Sequence, residues 1–202
     1  MPKLGMEPIR RAALVEATIH EIGARGSLDV TVSQIAKRAG MSSALAHHYF
    51  GGKDQIFLAA MRHTLTVYGA EVRGALAMAE TPKDRVTAIV RASFSATHFR
   101  PEIVAAWLNF YVLAQTQPAA ARLLNIYQAR LRSNLIHALR PALGHQAPAT
   151  AERLAALIDG IYLRQTLGQN GGQNRGQDRA ESIDPVALTL GHLGQELQGF
   201  SE

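Results

Sequence analysis

Ser42, Ser43, His47, His48 and Tyr49, followed by Lys53, gather short or planar hydrogen-bonding side chains without a carboxylate among them. Such a set suits phosphate oxygens and base edges. Hydroxyls, helix N-termini and an ammonium fix register on a nucleic-acid backbone, while side chains on an inserted helix read the bases. Thr31 and Ser33, just upstream, add two more hydroxyls to the same candidate DNA-facing group. Catalytic chemistry is poorly represented. The 8 His residues form no ligand-spaced group, and His47 and His48 are adjacent, so they cannot share a helix face. No His-Glu-x-x-His, Gly-x-Ser-x-Gly, phosphate-binding glycine loop or paired-acid string occurs. No enzyme is expected, and no metal site or cofactor.

The elements that must position these residues are helices. Apolar residues recur at three-and-four spacing almost throughout, and the alternating β-branched runs of strands are missing, so the fold class is all-α. A first helix is predicted over 7–25, with Val15, Thr18, Ile19 and Ile22 on one face and Gly26 as its stop. Thr31-Val32-Ser33-Gln34 has the form of a capping box, and Val32, Ile35, Ala36 and Ala39 make the inner stripe of a second helix ending at Gly40. Ser42 caps a third helix to about Tyr49, stopped by Phe50-Gly51-Gly52. Helix, glycine, turn and helix over 31–50 is the sequence form of a helix-turn-helix, whose second helix enters the major groove. The same pattern also describes a helical hairpin with a polar face.

A much longer helix is predicted from Lys53 to just before Thr81-Pro82, then helices over 83–98, 101–114, 118–140, 150–167 and 185–197. The run 168–177, rich in Gln, Asn and Gly without an apolar residue, reads as a flexible loop. Two domains follow: a DNA-binding head over 1–52 and a larger helical domain over 53–202.

With 202 residues and 47% hydrophobic content, the chain can build a substantial core. It has 21 basic against 16 acidic side chains, a net charge of +5. That charge divides as +3 over 1–53, +5 over 54–145 and −3 over 146–202, so the head is not singled out by charge and its function rests on local pattern. Cys is absent, which excludes disulfides and thiolate chemistry and fits a reducing compartment. No apolar leader or membrane-length run is seen, and a soluble cytoplasmic protein without membrane contact is expected.

Thr31 to Lys53, ending His-His-Tyr-Phe-Gly-Gly-Lys, resembles the DNA-binding domain of TetR-family transcriptional regulators. The resemblance implies a three-helix head, a long connecting fourth helix, and a C-terminal domain that binds a small inducer and supplies the homodimer contact. It also turns Ala46 inward and leaves Leu45 facing DNA, where an apolar side chain meets a thymine methyl. Two departures stand out: Ala44 and Ala46 replace a common Gly and a larger apolar residue, and the loop over 168–177 replaces a shorter connection. Ala106 to Tyr111, Ser133 to Leu135 and Leu154 to Arg164 narrow the likeness to choline-responsive repressors of glycine-betaine synthesis.

That likeness implies a small cationic effector, choline or betaine aldehyde, and hence aromatic faces helped by a carboxylate. Trp107, Phe110 and Tyr111 stand at i, i+3 and i+4, on one side of a helix. Tyr127 and Tyr162 lie on later helices, and Asp159 is embedded in an apolar segment beside Tyr162. These six are the candidate ligand residues, although the same spacing describes ordinary core and Asp159 also suits an interface or a pairing with Arg164. The expected function is a dimeric, ligand-responsive repressor of choline-to-betaine genes on a palindromic operator. A repressor of efflux or catabolic genes sensing another molecule, and a structural protein binding DNA without sequence preference, stay open beside it.

Overall fold

The computed structural model describes residues 6–170 and 184–199, and every regular element among them is helical. In chain order these are α1 (Met6–Arg25), α2 (Val32–Arg38), α3 (Ser43–Phe50), α4 (Lys53–Ala77), α5 (Pro82–Ser93), α6 (Pro101–Ala114), α7 (Pro118–Leu143), α8 (Ala147–Asn170) and α9 (Pro185–Gly199), with a single 3₁₀ turn at Gly144–Gln146. Most lie within a few residues of the sequence expectation. The all-α fold class holds.

Three boundaries differ for local reasons. α5 stops at Ser93 rather than running to His98: Phe94 leaves the helical conformation at φ −110°, ψ 19°, and the chain turns through 94–100. α7 continues through Pro141 to Leu143. Proline removes the bond to the His137 carbonyl, but both residues are exposed, so water can satisfy that oxygen. α8 extends to Asn170, so 168–170 of the expected flexible loop are helical. The remainder of that loop, 171–177, lies outside the described residues.

The chain forms two compact units, 1–66 with 100–124, and 67–99 with 125–202. The expected boundary at 52/53 falls where α4 begins, whereas compactness divides the chain inside α4. The first unit is built on α1, which packs against both α2 and α6, while α2 packs on α3. Leu14, Ile22, Ile35, Ala46, Ile56, Phe57 and Phe110 form its buried centre. At the crossing of α1 and α6, Gly23 approaches Glu102 so closely that a Cβ would stand 2.4 Å from the Glu102 Cβ and 2.5 Å from its Cα. Asn109 Nδ2 donates to the Gly26 carbonyl at 3.3 Å, and Gln117 Nε2 to Asp54 Oδ2 at 2.7 Å. α6 and the turn before α7 are thereby fastened to the end of α1 and the first turn of α4.

The second unit takes its core from Val86, Ile89, Leu135, Leu139, Leu154, Ile158 and Leu193, with α9 packed against α5 and α8. Thr81 caps α5 in a reciprocal box with Asp84: Asp84 N donates to Thr81 Oγ1 at 3.1 Å and Thr81 N to Asp84 Oδ2 at 3.1 Å. Hydrogen bonds from the Thr81 side chain and backbone hold the Asp84 carboxyl below its ordinary value.

Candidate functional site

The bracing helix α2 starts as its sequence dictates. Thr31 Oγ1 accepts from Gln34 N at 3.2 Å, and Gln34 Oε1 accepts from Thr31 N at 2.8 Å and from Thr31 Oγ1 at 3.0 Å. The Thr31 hydroxyl proton is therefore used within the cap. Arg38 Nε donates to Glu21, tying the end of α2 to α1. Met41 N then bonds the Ala36 carbonyl at 3.0 Å across the turn, where Gly40 takes φ +69°. Ser42 Oγ accepts from Leu45 N at 3.3 Å and opens α3.

On α3, Ala46 is fully buried, as the inward expectation required. Ala44, His47 and His48 are exposed, Leu45 and Tyr49 half-buried, and Ser42 exposed at the entry. At 100° per residue, Ala44 and His48 stand opposite Ala46, with Leu45 and His47 on the flanks. Ala44 thus sits at the centre of the outer face. It was absent from the sequence-derived set because a methyl group advertises no polar chemistry, yet only its place opposite Ala46 was needed to find it. Thr31, Ser33 and Lys53 are also exposed, and Lys53 Nζ donates to the Leu28 carbonyl at 3.1 Å, leaving further N–H groups for other acceptors.

The end of α3 is clamped from α1. Arg11 Nη2 donates to the Tyr49 carbonyl at 2.8 Å, its guanidinium lies 4.7 Å from the Phe50 ring centroid and 5.8 Å from that of Tyr49, and its Nε pairs with Glu7 at 3.1 Å. The clamp was not legible in sequence, since the Arg11 and Tyr49 partners are 38 residues apart.

The six candidate ligand residues fall into two groups. Trp107, Phe110 and Tyr111 form a group on α6 in the first unit, with Phe110 edge-on to Trp107 at 5.8 Å and Tyr111 tilted against it at 5.9 Å. Phe110 is fully buried and meets Phe57 edge-on at 6.3 Å. Tyr127, Asp159 and Tyr162 belong to the second unit, where an aromatic cluster collects. Tyr68 is edge-on to Tyr127 at 5.8 Å and to His98 at 5.4 Å. Tyr162 stacks on Phe94 at 5.8 Å and meets Phe99 at 5.0 Å. Tyr68, Phe94 and Phe99 are additions that sequence spacing could not supply, because they sit on α4 and in the turn after α5.

Hydrogen bonds and charge set this cluster. The Tyr162 hydroxyl donates to the Ser93 carbonyl, and the Tyr68 hydroxyl lies 3.0 Å from Ser93 Oγ, which itself donates to the Ile89 carbonyl at 3.0 Å. Glu71 Oε2 stands 2.9 Å from His98 Nε2. Burial pushes the Tyr68 phenol up to about 12, opposed by the Ser93 hydrogen bond and reinforced by the charges of Glu71 and Asp159. Burial raises Tyr162 further still, with Tyr68, Asp159 and Glu71 adding to it. The two carboxylates therefore impose a negative potential on a group of aromatic faces. Among the described residues no group of three or more His, Asp or Glu is placed to hold a metal ion, and no helix is long and apolar enough to cross a membrane.

A helix-turn-helix at the start of an otherwise helical chain is the architecture of DNA-binding transcriptional regulators. The comparisons with known proteins agree. A family model for bacterial regulatory proteins of the tetR family matches residues 14–60, and one for the C-terminal part of BetI-type transcriptional repressors matches residues 82–183. The chain belongs to the TetR family, and within it to the BetI-type repressors. It is 53% identical to the HTH-type transcriptional regulator BetI of Brucella anthropi over 169 residues, 83% of this chain and 87% of that one. To BetI of Brucella melitensis biotype 2 it is 48% identical over 200 residues, 98% and 97% of the two chains, and to BetI of Rhizobium meliloti 52% over 170 residues, 83% of each. Among solved structures, a transcriptional regulator of Pseudomonas aeruginosa shares the fold with a TM-score of 0.75 at 27% identity, covering 98% of this chain and 94% of that one. A regulator of Saccharomonospora viridis, solved in complex with choline, has a TM-score of 0.76 at 22% identity, covering 93% and 95%. The protein is a DNA-binding regulator and not an enzyme.

Proposed function

We propose that the chain acts in the cytoplasm as a homodimer, each protomer laying α3 in the major groove of one half of a partly palindromic operator, and that a small quaternary-ammonium cation weakens this hold. Choline or betaine aldehyde is the effector, and the genes for converting choline into the osmoprotectant glycine betaine are the target. The names of the BetI relatives and the choline held by the Saccharomonospora viridis regulator support that class.

The observation that carries the effector reading is the aromatic cluster of the second unit under the negative potential of Glu71 and Asp159. Burial keeps its phenols protonated, and the carboxylates of Glu71 and Asp159, which add to that effect, are charges a permanent cation seeks, while the ring faces supply the rest. In this reading Tyr127, Asp159 and Tyr162 bind the effector together with Tyr68, Phe94 and Phe99. Trp107, Phe110 and Tyr111 serve the packing of α6. Binding acts by differential affinity for two conformers, so operator DNA must weaken choline binding by the same factor that choline weakens DNA binding.

The test is fluorescence anisotropy of a labelled operator duplex, recovered by selection from random DNA, titrated with choline against sodium chloride of equal strength. Wild type should release DNA saturably. Asp159→Asn should need about tenfold more choline with operator affinity unchanged, and Trp107→Phe should respond as wild type does. No response by wild type would return the effector to another small molecule, and a lost response in Trp107→Phe would move the site to α6.

A further inference from the structure

The last turn of α3 contains a reciprocal pair of hydrogen bonds. Gly51, at φ +84°, donates its N–H to the His47 carbonyl at 2.7 Å, and the Gly51 carbonyl is bonded in turn by His47 Nδ1. A carbonyl oxygen can only accept, so the imidazole proton sits on Nδ1. In the neutral ring Nε2 then carries a lone pair and no proton. The side chain is exposed on the flank of the outer face of α3.

This tautomer restricts what His47 can touch. Phosphate and deoxyribose oxygens of duplex DNA offer no donor, so a bare Nε2 gains nothing from the backbone. In the major groove the donors are the exocyclic amines, N6 of adenine and N4 of cytosine, whereas guanine O6 and N7 and thymine O4 are acceptors that would oppose the lone pair. Ser42, Ser43 and Lys53, which can all donate, are free of that restriction. We propose that His47 is a specificity-determining residue that reads an amine, accepting adenine or cytosine and rejecting guanine or thymine at one position on one strand of each half-site. The inference rests on the operator reading above. It adds the identity of the base class and the atom that selects it.

Two measurements on the full chain test it. Nitrogen-15 spectra of the histidine-labelled protein, with the His47 signal identified by its loss in His47→Ala, should show a protonated Nδ1 and a bare Nε2. Selection from random duplexes should give half-sites with one position shared by A and C on the same strand. Replacing that base by G or T should weaken wild type about fivefold to tenfold. His47→Ala should bind all four bases there equally, and His47→Arg, which can only donate, should turn the preference to G. A proton on Nε2, or a preference for G or T in wild type, or an A and C preference that survives in His47→Ala, overturns the assignment. Failure to select any sequence overturns the operator reading and this inference with it. An operator that is selected but indifferent to His47 overturns the inference alone.

Discussion

Replacing Gly23 by Ala probes the junction on which the first unit is built. The added methyl would stand 2.4, 2.5 and 2.6 Å from Cβ, Cα and Cγ of Glu102. Two of these atoms are fixed by the α6 backbone, so no rotamer change relieves the collision. Restoring ordinary contact requires α1 and α6 to part by about 1 Å, which places the cost near the upper end of core overpacking, about 3 kcal/mol. Alanine recovers about 1 kcal/mol through its helix propensity. The net loss of about 2 kcal/mol should lower the melting midpoint by about 4–8 °C in a chain of this size. Thermal unfolding followed by circular dichroism gives the measurement, and Gly74→Ala supplies a comparison of opposite sign. Gly74 lies inside α4 with open space where its Cβ would be, so that change should raise the midpoint by a few degrees. A Gly23→Ala protein melting at or above wild type would refute the close crossing of α1 and α6.

Arg11→Ala removes a charge-assisted hydrogen bond and a ring stack from the end of α3. Operator affinity should fall about tenfold, with faster amide exchange at 49–51, and normal values of both would show the clamp to be idle. For Tyr68 the folded state holds its proton to about pH 12 against a reference of 10. The folded form thus binds the proton more tightly, so the contribution is complete below pH 10 and is lost as pH rises toward 12, at about 1 kcal/mol per pH unit. Urea unfolding at stepped alkaline pH should find a shallower decline in Tyr68→Phe than in wild type, and equal slopes would show that this phenol is not held.

How much of this was written in the sequence depends on the range of the interaction. The capping box at Thr31 and Gln34, the stop at Gly40 and the Ser42 cap are local, and each was legible from neighbours within four residues, whereas the inward turn of Ala46 came from the family resemblance. The proline at 141 was overweighted, because a proline marks a helix end only where the orphaned carbonyl has no water. The aromatic cluster was half legible. Tyr162 and Asp159 share α8 and could be paired by spacing, but Tyr68, Phe94 and Phe99 meet them through tertiary contacts that no periodicity records. Trp107, Phe110 and Tyr111 show the opposite case, in which a helical stripe was plain in sequence but the rings it meets, such as Phe57, were not. The Arg11 clamp and the His47 tautomer both depended on seeing which carbonyl lies within reach.

The return of 100–124 to the first unit has a consequence for anyone who would move this DNA-binding part elsewhere. Cutting the gene after residue 60 or 80 would keep α1 to α3 but strip away Ala106 and Phe110, and it would lay bare the side of α1 on which Gly23 meets Glu102. A graft that transplants recognition must therefore carry two separated stretches of sequence. The stretch 14–60 matched by the family model is thus not a separable part of the chain, and a chimera joined at its end should express as an insoluble product.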